Sequence, residues 1–373
     1  MIGLNSIILK KKSGGVGVYI NKLINFILGT NRHDILIFLN NNYAKILIQN
    51  DAIKSIKLPT SVILRASFEN VLWKKIIKEY NITLFHSPFS YLPRSIDVPS
   101  LVTIHDLGTY HFPENYTFLR QSYLRKMIER SALKAQKIIA VSKFTKNDIS
   151  ETLGINEEKI TVIYEGIDIA KFQNKSNNQK TVECKEYLNS EEPFILSVGH
   201  LEPRKNYVRL IQAFDILKKK KNIKHKLVIV GQENWKYQAI YHEVDKLNLK
   251  SEVIFTKFVD EERLIGLYQS ADLFVTASTY EGFGFTPLES MAAGTPVAAS
   301  NSTSIPEIVG DAALLFNPYD PDDMADKMYR ALEDHKLRVE LINKGKENIK
   351  RFNWDTCCQK TLNLYDEILH NLQ

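Results

Sequence analysis

The stretch that decides the fold is residues 276–300, which reads TASTYEGFGFTPLESMAAGTPVAAS. The apolar run Leu273-Phe274-Val275 precedes it and predicts a strand. Residues 281–285 follow as a loop whose glycines let backbone N–H groups approach a ligand closely. A short helix is expected next, with Thr286 as its N-cap and a proline at its first position. An anion placed before Thr286 would meet backbone amides and the positive end of the helix dipole.

Two carboxylates, Glu281 and Glu289, bracket this loop. Glu289 lies three residues after Thr286, which is the spacing of a capping box. Spacing alone leaves open whether Glu289 caps its own helix or binds a ligand. On the same grounds Glu281 could be a solvated loop acid.

The whole string resembles the Glu-x7-Glu segment of retaining, nucleotide-sugar-dependent glycosyltransferases of the GT-B type, family 4. The Gly-Phe-Gly core, the proline, the second glutamate and the Gly-Thr-Pro-Val tail all coincide with that segment. The resemblance implies that Glu281 lies by the donor sugar and that Glu289 holds the nucleotide ribose. It also implies that the loop amides meet sugar and phosphate, at Gly282, Phe283, Gly284 and Phe285.

Composition is that of a soluble globular protein, with 44% apolar and 25% charged residues among 373. The net charge of +6 suits an anionic ligand or an anionic membrane surface, and we expect no nucleic-acid partner because the basic residues are dispersed. Three cysteines, two of them adjacent, fit neither a disulfide framework nor a zinc site, which favours a cytoplasmic location. No apolar run approaches the roughly 20 residues of a spanning helix.

Apolar runs alternate with helical patterns twice along the chain, which predicts two α/β domains with parallel sheets. The predicted boundaries are 1–170, a polar linker at 171–190, 191–352, and a last helix at 353–373. The resemblance implies that these are two Rossmann-like domains facing across a cleft, as in GT-B. The first would bind the acceptor and the second the nucleotide sugar, and the last helix would return to the first domain.

The first domain opens with a strand predicted at residues 2–9 and a glycine turn before a helix. A Gly-Gly-x-Gly turn is as compatible with a tight turn as with a phosphate site. The resemblance assigns Gly14 and Gly15 to the donor phosphates and the acceptor. Two further strands end in histidines, where open α/β sheets bind ligands. For His86 we favour a satisfied interior histidine, whereas His105-Asp106 resembles the family pair whose histidine lies near the donor sugar.

In the second domain, Arg204 and Lys205 follow a predicted strand and Gly199. A guanidinium can bind two phosphate oxygens while an ammonium acts as a point charge, so the pair suits a departing diphosphate. The family's commoner arginine directly after the glycine is His200 here, so its role is assigned to Arg204. By resemblance the base pocket involves Phe258 and Val259.

Two further positions depart from the family pattern. Lys257 stands where the family often has glycine, and Glu165 stands where it usually has asparagine. The first departure leaves the choice of nucleotide base open. The second could alter the local turn.

Residues 116–137 interleave apolar and basic positions at helical spacing. Such a helix could lie on an anionic membrane or contact a lipid-linked acceptor. A core-facing helix with a solvated basic face explains the same pattern. Both interpretations stay open.

Acids at Asp320, Asp322 and Asp323 are explained by capping of the helix from Pro321, without a metal. With cationic side chains available for the diphosphate, no cofactor and no essential divalent ion are expected. A capping box is also expected at Ser304 and Glu307.

The sequence thus predicts a retaining glycosyltransferase acting on a glycan or lipid-linked saccharide in cell-surface polysaccharide synthesis. GDP-mannose is the first choice of donor and a UDP-sugar the second. The enzyme is expected in the cytoplasm, with peripheral contact to the inner face of the membrane left open. Two alternatives are a nucleotide-sugar 2-epimerase of similar fold and a non-catalytic sugar-nucleotide binding protein.

Overall fold

The computed structural model describes residues 1–9, 14–30, 32–44, 50–57, 62–173 and 178–371. The chain forms two compact units. Unit 1 comprises Met1–Gly166 and Trp354–Gln373, and unit 2 comprises Ile167–Asn353. Residues 10–13 before the glycine turn, and 174–177 within the predicted linker, lie outside the described residues.

Unit 1 is built on a parallel sheet whose seven strands lie in the order β3-β2-β1-β4-β5-β6-β7. The strands are β1 Ile2–Asn5, β2 Ile35–Asn40, β3 Ile53–Ile56, β4 Leu84–Ser87, β5 Ser100–Ile104, β6 Lys137–Ala140 and β7 Ile160–Val162. The helices are α1 Gly15–Leu28, α2 Asn41–Ala44, α3 Val62–Glu79, α4 Gly108–His111, α5 Phe118–Lys134 and α6 Lys143–Leu153.

The order of strand addition in the sheet of unit 1 reverses at β1, which pairs with β2 on one side and with β4 on the other. Ligands of open α/β sheets bind beyond the carboxyl ends of strands at such a switch point. The first strand is shorter than the predicted 2–9, because the chain turns after Asn5 with a hydrogen bond from the Leu9 amide to the Ser6 carbonyl. The buried face predicted for α1 is confirmed, and it consists of Tyr19, Ile20, Leu23, Ile24 and Ile27.

The last helix, α16 Trp354–His370, belongs to unit 1 and packs on α1, as the resemblance implied. Its predicted stripe is buried, with Leu362, Tyr365 and Ile368 at most 3% exposed. Gly166 makes this packing possible, because a Cβ there would lie 2.4 Å from the Trp354 amide nitrogen. A side chain at that position would therefore force the backbone apart.

Unit 2 is built on a second parallel sheet, with six strands in the order β10-β9-β8-β11-β12-β13. The strands are β8 Phe194–Val198, β9 Lys226–Val230, β10 Val253–Lys257, β11 Leu273–Thr276, β12 Val297–Ser300 and β13 Ala313–Phe316. The helices are α7 Ile169–Gln173, α8 Asn178–Leu188, α9 Tyr207–Lys221, α10 Gln238–Lys246, α11 Glu261–Ser270, α12 Phe285–Ala293, α13 Ile305–Val309, α14 Pro321–Glu333 and α15 His335–Asn348.

The range predicted as a linker, 171–190, carries helix α8, which packs on α11 within unit 2. Polar composition suggested a linker, but buried Cys184 and Leu188 anchor this helix. The chain instead changes unit at Gly166/Ile167 and at Asn353/Trp354. In unit 2 the order of strand addition reverses at β8, which pairs with β9 on one side and with β11 on the other. Loops leaving β8 and β11 therefore meet at one edge.

Candidate active site

Arg204, Lys205 and Glu281 come together at the switch point of unit 2. The two cations lie in a short 3-10 helix, Pro203–Lys205, after β8, and Glu281 follows β11. Nη1 of Arg204 donates to Oε2 of Glu281 at 3.0 Å, and Nζ of Lys205 donates to Oε1. The adjacency of β8 and β11 thus brings together residues that are 76 and 77 positions apart in the sequence.

Glu281 is largely buried, with 14% of its side chain exposed. Burial on its own raises the pKa of Glu281, but the charges of Lys205 and Arg204 outweigh burial and lower that pKa to about 2. Ser278 adds a hydrogen bond of 2.8 Å to Oε1. The carboxylate is therefore ionised at every physiological pH, and it accepts hydrogen bonds without serving as an acid.

Two residues that the sequence analysis left without a role hold the cations in place. Glu202, with 8% of its side chain exposed, pairs with Nε of Arg204, and its other oxygen accepts from Nδ2 of Asn234 at 2.7 Å. Asn206 has left-handed backbone with φ 59°, and its Nδ2 donates to the carbonyls of Ala277 and Pro318. Asparagine tolerates this conformation, and its place after Arg-Lys was the signal available in the sequence.

The glycine loop leads into α12 by a route other than the predicted one. The helix begins at Phe285 with Gly284 as N-cap, at φ 117°, and no side chain caps it. The Thr286–Glu289 capping box is therefore wrong. Glycine is required at 284, because a Cβ would lie 3.0 Å from Ile305 Cδ1 and the backbone is left-handed. Ser304 fixes the loop instead, donating to the Phe283 carbonyl at 2.7 Å.

Ser304 is the N-cap of α13, but its side chain does not cap that helix. The capping box expected with Glu307 is therefore wrong, since the Ser304 hydroxyl is engaged by the carbonyls of Glu281 and Phe283. The Asp320 prediction is confirmed, because its carboxylate accepts from the amides of Asp322 and Asp323 at the start of α14.

Glu289 lies on α12 and is partly buried. Its Oε2 accepts a hydrogen bond of 2.8 Å from the Tyr268 hydroxyl, a partner from α11 that the sequence did not indicate. Burial raises the pKa of Glu289, and the Tyr268 hydrogen bond offsets part of that rise. No side chain caps α12, so Glu289 is a partly buried acid that does not serve as a cap.

The predicted base-pocket residues lie just after β10. Phe258 is 52% exposed and Val259 is 7% exposed. Lys257 has left-handed backbone with φ 57°, the conformation that favours the glycine found there in the family. Its carbonyl accepts from the Gly231 amide at 3.0 Å, so the strained residue is held by the sheet.

Gly14, Gly15 and His105 belong to unit 1. Gly14 is the N-cap of α1 with extended backbone, Gly15 is the first helical residue, and both are exposed. His105 follows β5 and is 9% exposed, with Nδ1 3.1 Å from Oε1 of Glu165. Burial lowers the pKa of His105, but the Glu165 carboxylate, the Pro88 carbonyl and the charge of Asp106 together outweigh burial and raise it.

His86 is the interior histidine that the sequence analysis favoured. It is fully buried, with Nδ1 2.6 Å from the Tyr365 hydroxyl and Nε2 2.9 Å from Oγ1 of Thr103. Burial and the charge of His105 lower the pKa of His86 to about 3. His86 is therefore neutral and joins α16 to β5.

Residues 118–134 form helix α5, which has a buried face and an exposed start. Met127 and Ile128 pack in the core of unit 1, whereas Phe118 and Leu119 at its start are 78% and 80% exposed. Within the described ranges, no helix has the length and hydropathy needed to cross a membrane. No cluster of three or more metal-ligating acids, histidines or cysteines occurs among those residues either.

Two family models match the chain in succession. The model described as Glycosyltransferase Family 4 matches residues 13–171, and the one described as Glycosyl transferases group 1 matches residues 178–348. The first match falls on unit 1 and the start of unit 2, and the second holds Arg204, Lys205, Glu281 and Glu289.

Curated relatives include two O-antigen enzymes. The chain is 29% identical to O-antigen chain mannosyltransferase B of Escherichia coli over 78% of this chain and 75% of that protein. It is 28% identical to O-antigen chain mannosyltransferase RfbU of Salmonella typhimurium, over 69% and 67% respectively. The serotype-specific mannosyltransferase WbdA of Escherichia coli is also similar, at 29% identity, but the chain spans only 31% of its length.

Among solved structures, sucrose-phosphate synthase from Thermosynechococcus elongatus superposes with a TM-score of 0.81 at 21% identity, covering 99% of each chain. The Anabaena protein HepE, solved with UDP and glucose, gives a TM-score of 0.76 at 19% identity, covering 98% of this chain and 99% of that one. These likenesses show the fold, GT-B with two Rossmann-like domains. With both family models matched in order, the chain belongs to the group 1, family 4 glycosyltransferases.

Proposed function

We propose that the protein transfers a hexose, with retention, from a nucleotide diphosphate sugar to a saccharide acceptor. The observation that carries this proposal is the convergence of Arg204 and Lys205 on Glu281 at the switch point of unit 2. Mannose from GDP-mannose is the first choice because two relatives are named as O-antigen chain mannosyltransferases. A UDP-sugar is the second choice, since HepE was solved with UDP.

The chemistry follows from the charges. Breaking the anomeric C–O bond leaves negative charge on the departing diphosphate, and preorganised cations stabilise that charge. Arg204 and Lys205 are neutralised here by Glu281 and Glu202. We expect the diphosphate to compete for the two cations, which releases Glu281 oxygens to accept hydrogen bonds from sugar hydroxyls.

Retention calls for a carboxylate nucleophile under the anomeric carbon or for attack on the face that the leaving group vacates. Glu281 is proposed to lie at the sugar hydroxyls, held by its two cations, and not beneath the anomeric carbon. We therefore favour front-face transfer, in which the departing diphosphate accepts the acceptor's proton. The amides of residues 282–285 and His105 are proposed to position the sugar.

The test is incubation with a panel of labelled nucleotide sugars and a saccharide acceptor. Transfer supports the proposal, whereas isomerisation of the donor would indicate a 2-epimerase and binding without turnover a non-catalytic protein. An NMR coupling constant of the fresh product gives its anomeric configuration. Inversion would refute the front-face mechanism.

Variants at the cations test the leaving-group role. Arg204→Ala and Lys205→Ala should each lower kcat by about 10²-fold or more, as removal of a transition-state donor does. Lys250→Ala is the matched control, because Lys250 is 75% exposed in the same unit and pairs only at the surface with Asp245. Near-normal rates for both site variants would remove the two cations from the mechanism.

Independence from divalent metal ions is part of the proposal, because Arg204 and Lys205 supply the charge that a metal would otherwise bring to the diphosphate. Turnover should be unchanged within about twofold in EDTA, and added Mg²⁺ should not raise it. Loss of turnover that Mg²⁺ restores would show that the cations do not suffice.

Peripheral contact with the inner face of the membrane is proposed for the exposed start of α5. The exposed apolar side chains of Phe118 and Leu119 are followed by the positively charged Arg120. An apolar tip beside a positive charge suits contact with an anionic membrane surface. Such a contact would bring the enzyme to a lipid-linked saccharide acceptor.

Co-sedimentation with vesicles tests the membrane contact. Binding to vesicles rich in phosphatidylglycerol should exceed binding to phosphatidylcholine vesicles, and Phe118→Ser with Leu119→Ser should abolish it. Val71→Ser is the control, since Val71 is 74% exposed in α3 of the same unit. Equal loss in the control, or equal binding to both vesicles, would refute the proposal.

A further inference from the structure

Both ring nitrogens of His105 face acceptors of unit 1. Nε2 lies 3.1 Å from the carbonyl oxygen of Pro88, and Nδ1 lies 3.1 Å from Oε1 of Glu165. The side chain of His105 is 10% exposed and that of Glu165 is 2% exposed. The ring is thus enclosed, with an acceptor at each nitrogen.

These contacts constrain the protonation of the ring. A backbone carbonyl only accepts, so Nε2 carries a proton in the arrangement observed. A neutral ring would then place the lone pair of Nδ1 3.1 Å from an oxygen of the Glu165 carboxylate. Nδ1 and Oε1 lie within ion-pair distance, but they do not form a well-aligned hydrogen bond. Among the described residues, no donor is aligned with Oε1 of Glu165. A charged partner stabilises a buried ionised carboxylate, and a protonated His105 ring would supply that partner.

We infer that Glu165 is a positioning residue that holds His105 as an imidazolium, with Nε2–H donated to the Pro88 carbonyl and Nδ1–H facing the Glu165 carboxylate inside unit 1. His105 then acts as a fixed cation and neither exchanges a proton nor donates a hydrogen bond from its ring nitrogens to the sugar. The inference rests on the proposed function for the placement of His105 at the donor. His105 is then expected to contribute a positive charge near the donor instead of a hydrogen bond to the sugar, and the role of Glu165 is to hold that charge in place.

Other titratable groups around the pair modify this charge less than Glu165 does. They come from four elements or loops, namely Asp106 after β5, His86 in β4, Tyr19 in α1 and Cys357 in α16. Asp106 raises the pKa of His105, as Glu165 does. Burial raises the pKa of both Tyr19 and Cys357, so these two groups stay uncharged at neutral pH. Glu165 and Asp106 therefore both favour the protonated form of the His105 ring.

Ring NMR of the whole protein labelled with ¹⁵N-histidine tests the inference without any substrate, and His105→Gln assigns the signals. At pH 7.5 both ring nitrogens of His105 should show imidazolium shifts. In Glu165→Gln the midpoint of the His105 titration should fall by about one pH unit or more, and Glu165→Asp, which keeps the charge, should restore most of it. Glu165→Asn is a second neutral variant in case glutamine prevents folding.

Either of two NMR results would overturn the inference: a neutral His105 ring at pH 7.5, or an unchanged midpoint in both neutral variants. A pH profile of kcat then tests the link to the proposed function. Wild-type kcat should show no histidine titration between about pH 6 and 7.5, whereas that of Glu165→Gln should fall as pH rises through the lowered midpoint. A lowered midpoint with unchanged profiles would confirm the ion pair and remove His105 from the donor site.

Discussion

Replacing Glu281 by glutamine should destabilise unit 2 by about 3 kcal/mol at neutral pH. The substitution keeps the shape of the side chain and removes the negative charge between Arg204 and Lys205. The pKa of Glu281 is lowered from 4.5 to about 2. One pKa unit corresponds to about 1.4 kcal/mol of free energy, so this shift amounts to roughly 3 kcal/mol. Solvent screening reduces the value little, because only 14% of the Glu281 side chain is exposed.

The pH dependence of this loss is the sharper test. A carboxylate whose pKa is depressed on folding contributes stability that is present above its unfolded pKa. The contribution of Glu281 should be full above about pH 5.5 and should disappear as the pH falls through 4.5 towards about 2. The difference in stability between wild type and Glu281→Gln should therefore be constant from about pH 8 to 5.5 and shrink below pH 4.5.

Hydrogen exchange at increasing urea concentration measures this difference locally, on the amides of β8 and β11. Glu340→Gln is the matched control, since Glu340 is 52% exposed and pairs with Lys344 on the surface of α15. The control should change stability by less than about 0.5 kcal/mol. A loss below about 1 kcal/mol for Glu281→Gln, or an equal loss at pH 3 and pH 7, would refute the assigned ion pairs.

Three further predictions concern single side chains. Glu289→Gln should leave the stability of unit 2 in urea equal or higher at pH 8, because burial raises the pKa of Glu289 and disfavours its ionised form. If Glu289 holds the ribose, isothermal titration calorimetry should nevertheless show about tenfold weaker nucleotide binding by this variant. Unchanged affinity would refute that role. Lys257→Gly should stabilise unit 2 by about 0.5–1 kcal/mol in urea unfolding, because φ at this residue is 57° and glycine adopts this left-handed conformation without strain. A destabilised variant would show that the contacts of the lysine side chain matter more than its backbone conformation. Tyr365→Phe should lower the free energy of unfolding of unit 1 by about 1–3 kcal/mol, because it leaves Nδ1 of buried His86 without its hydrogen-bond partner at 2.6 Å. Hydrogen exchange of the amides in β4 measures this loss, and a loss below about 0.5 kcal/mol would contradict the prediction.

Features that depend on local pattern were predictable from the sequence. Unbroken apolar runs gave parallel strands, as at Leu273 to Val275, and the stripe of Leu362, Tyr365 and Ile368 gave α16. Motifs were enough to assign Arg204 and Lys205 to the diphosphate and Glu281 to the donor sugar. The pairing of these side chains was not predicted, because it depends on β8 and β11 being neighbours in the sheet.

Features that depend on distant contacts were not predictable. Thr286 is a residue type that favours the N-cap, but the helix begins two residues earlier than predicted, at Phe285, with left-handed Gly284 as its N-cap. Asn178–Leu188 is polar enough for a linker, and only its packing on α11 makes it a helix of unit 2. Glu165 was noted as a departure, but its partner His105 lies far away in sequence.

The discontinuity of unit 1 affects how the protein is made on the ribosome. Residues 1–166 emerge first, yet α16, which packs on α1 and bonds to His86 through Tyr365, is translated after all of unit 2. Unit 2 is continuous, so it can complete its core while the nascent chain still lacks the last element of unit 1. We expect the surface of α1 beneath α16 to stay uncovered during this interval. Unit 1, whose first residues are made first, therefore cannot be completed until α16 has been made.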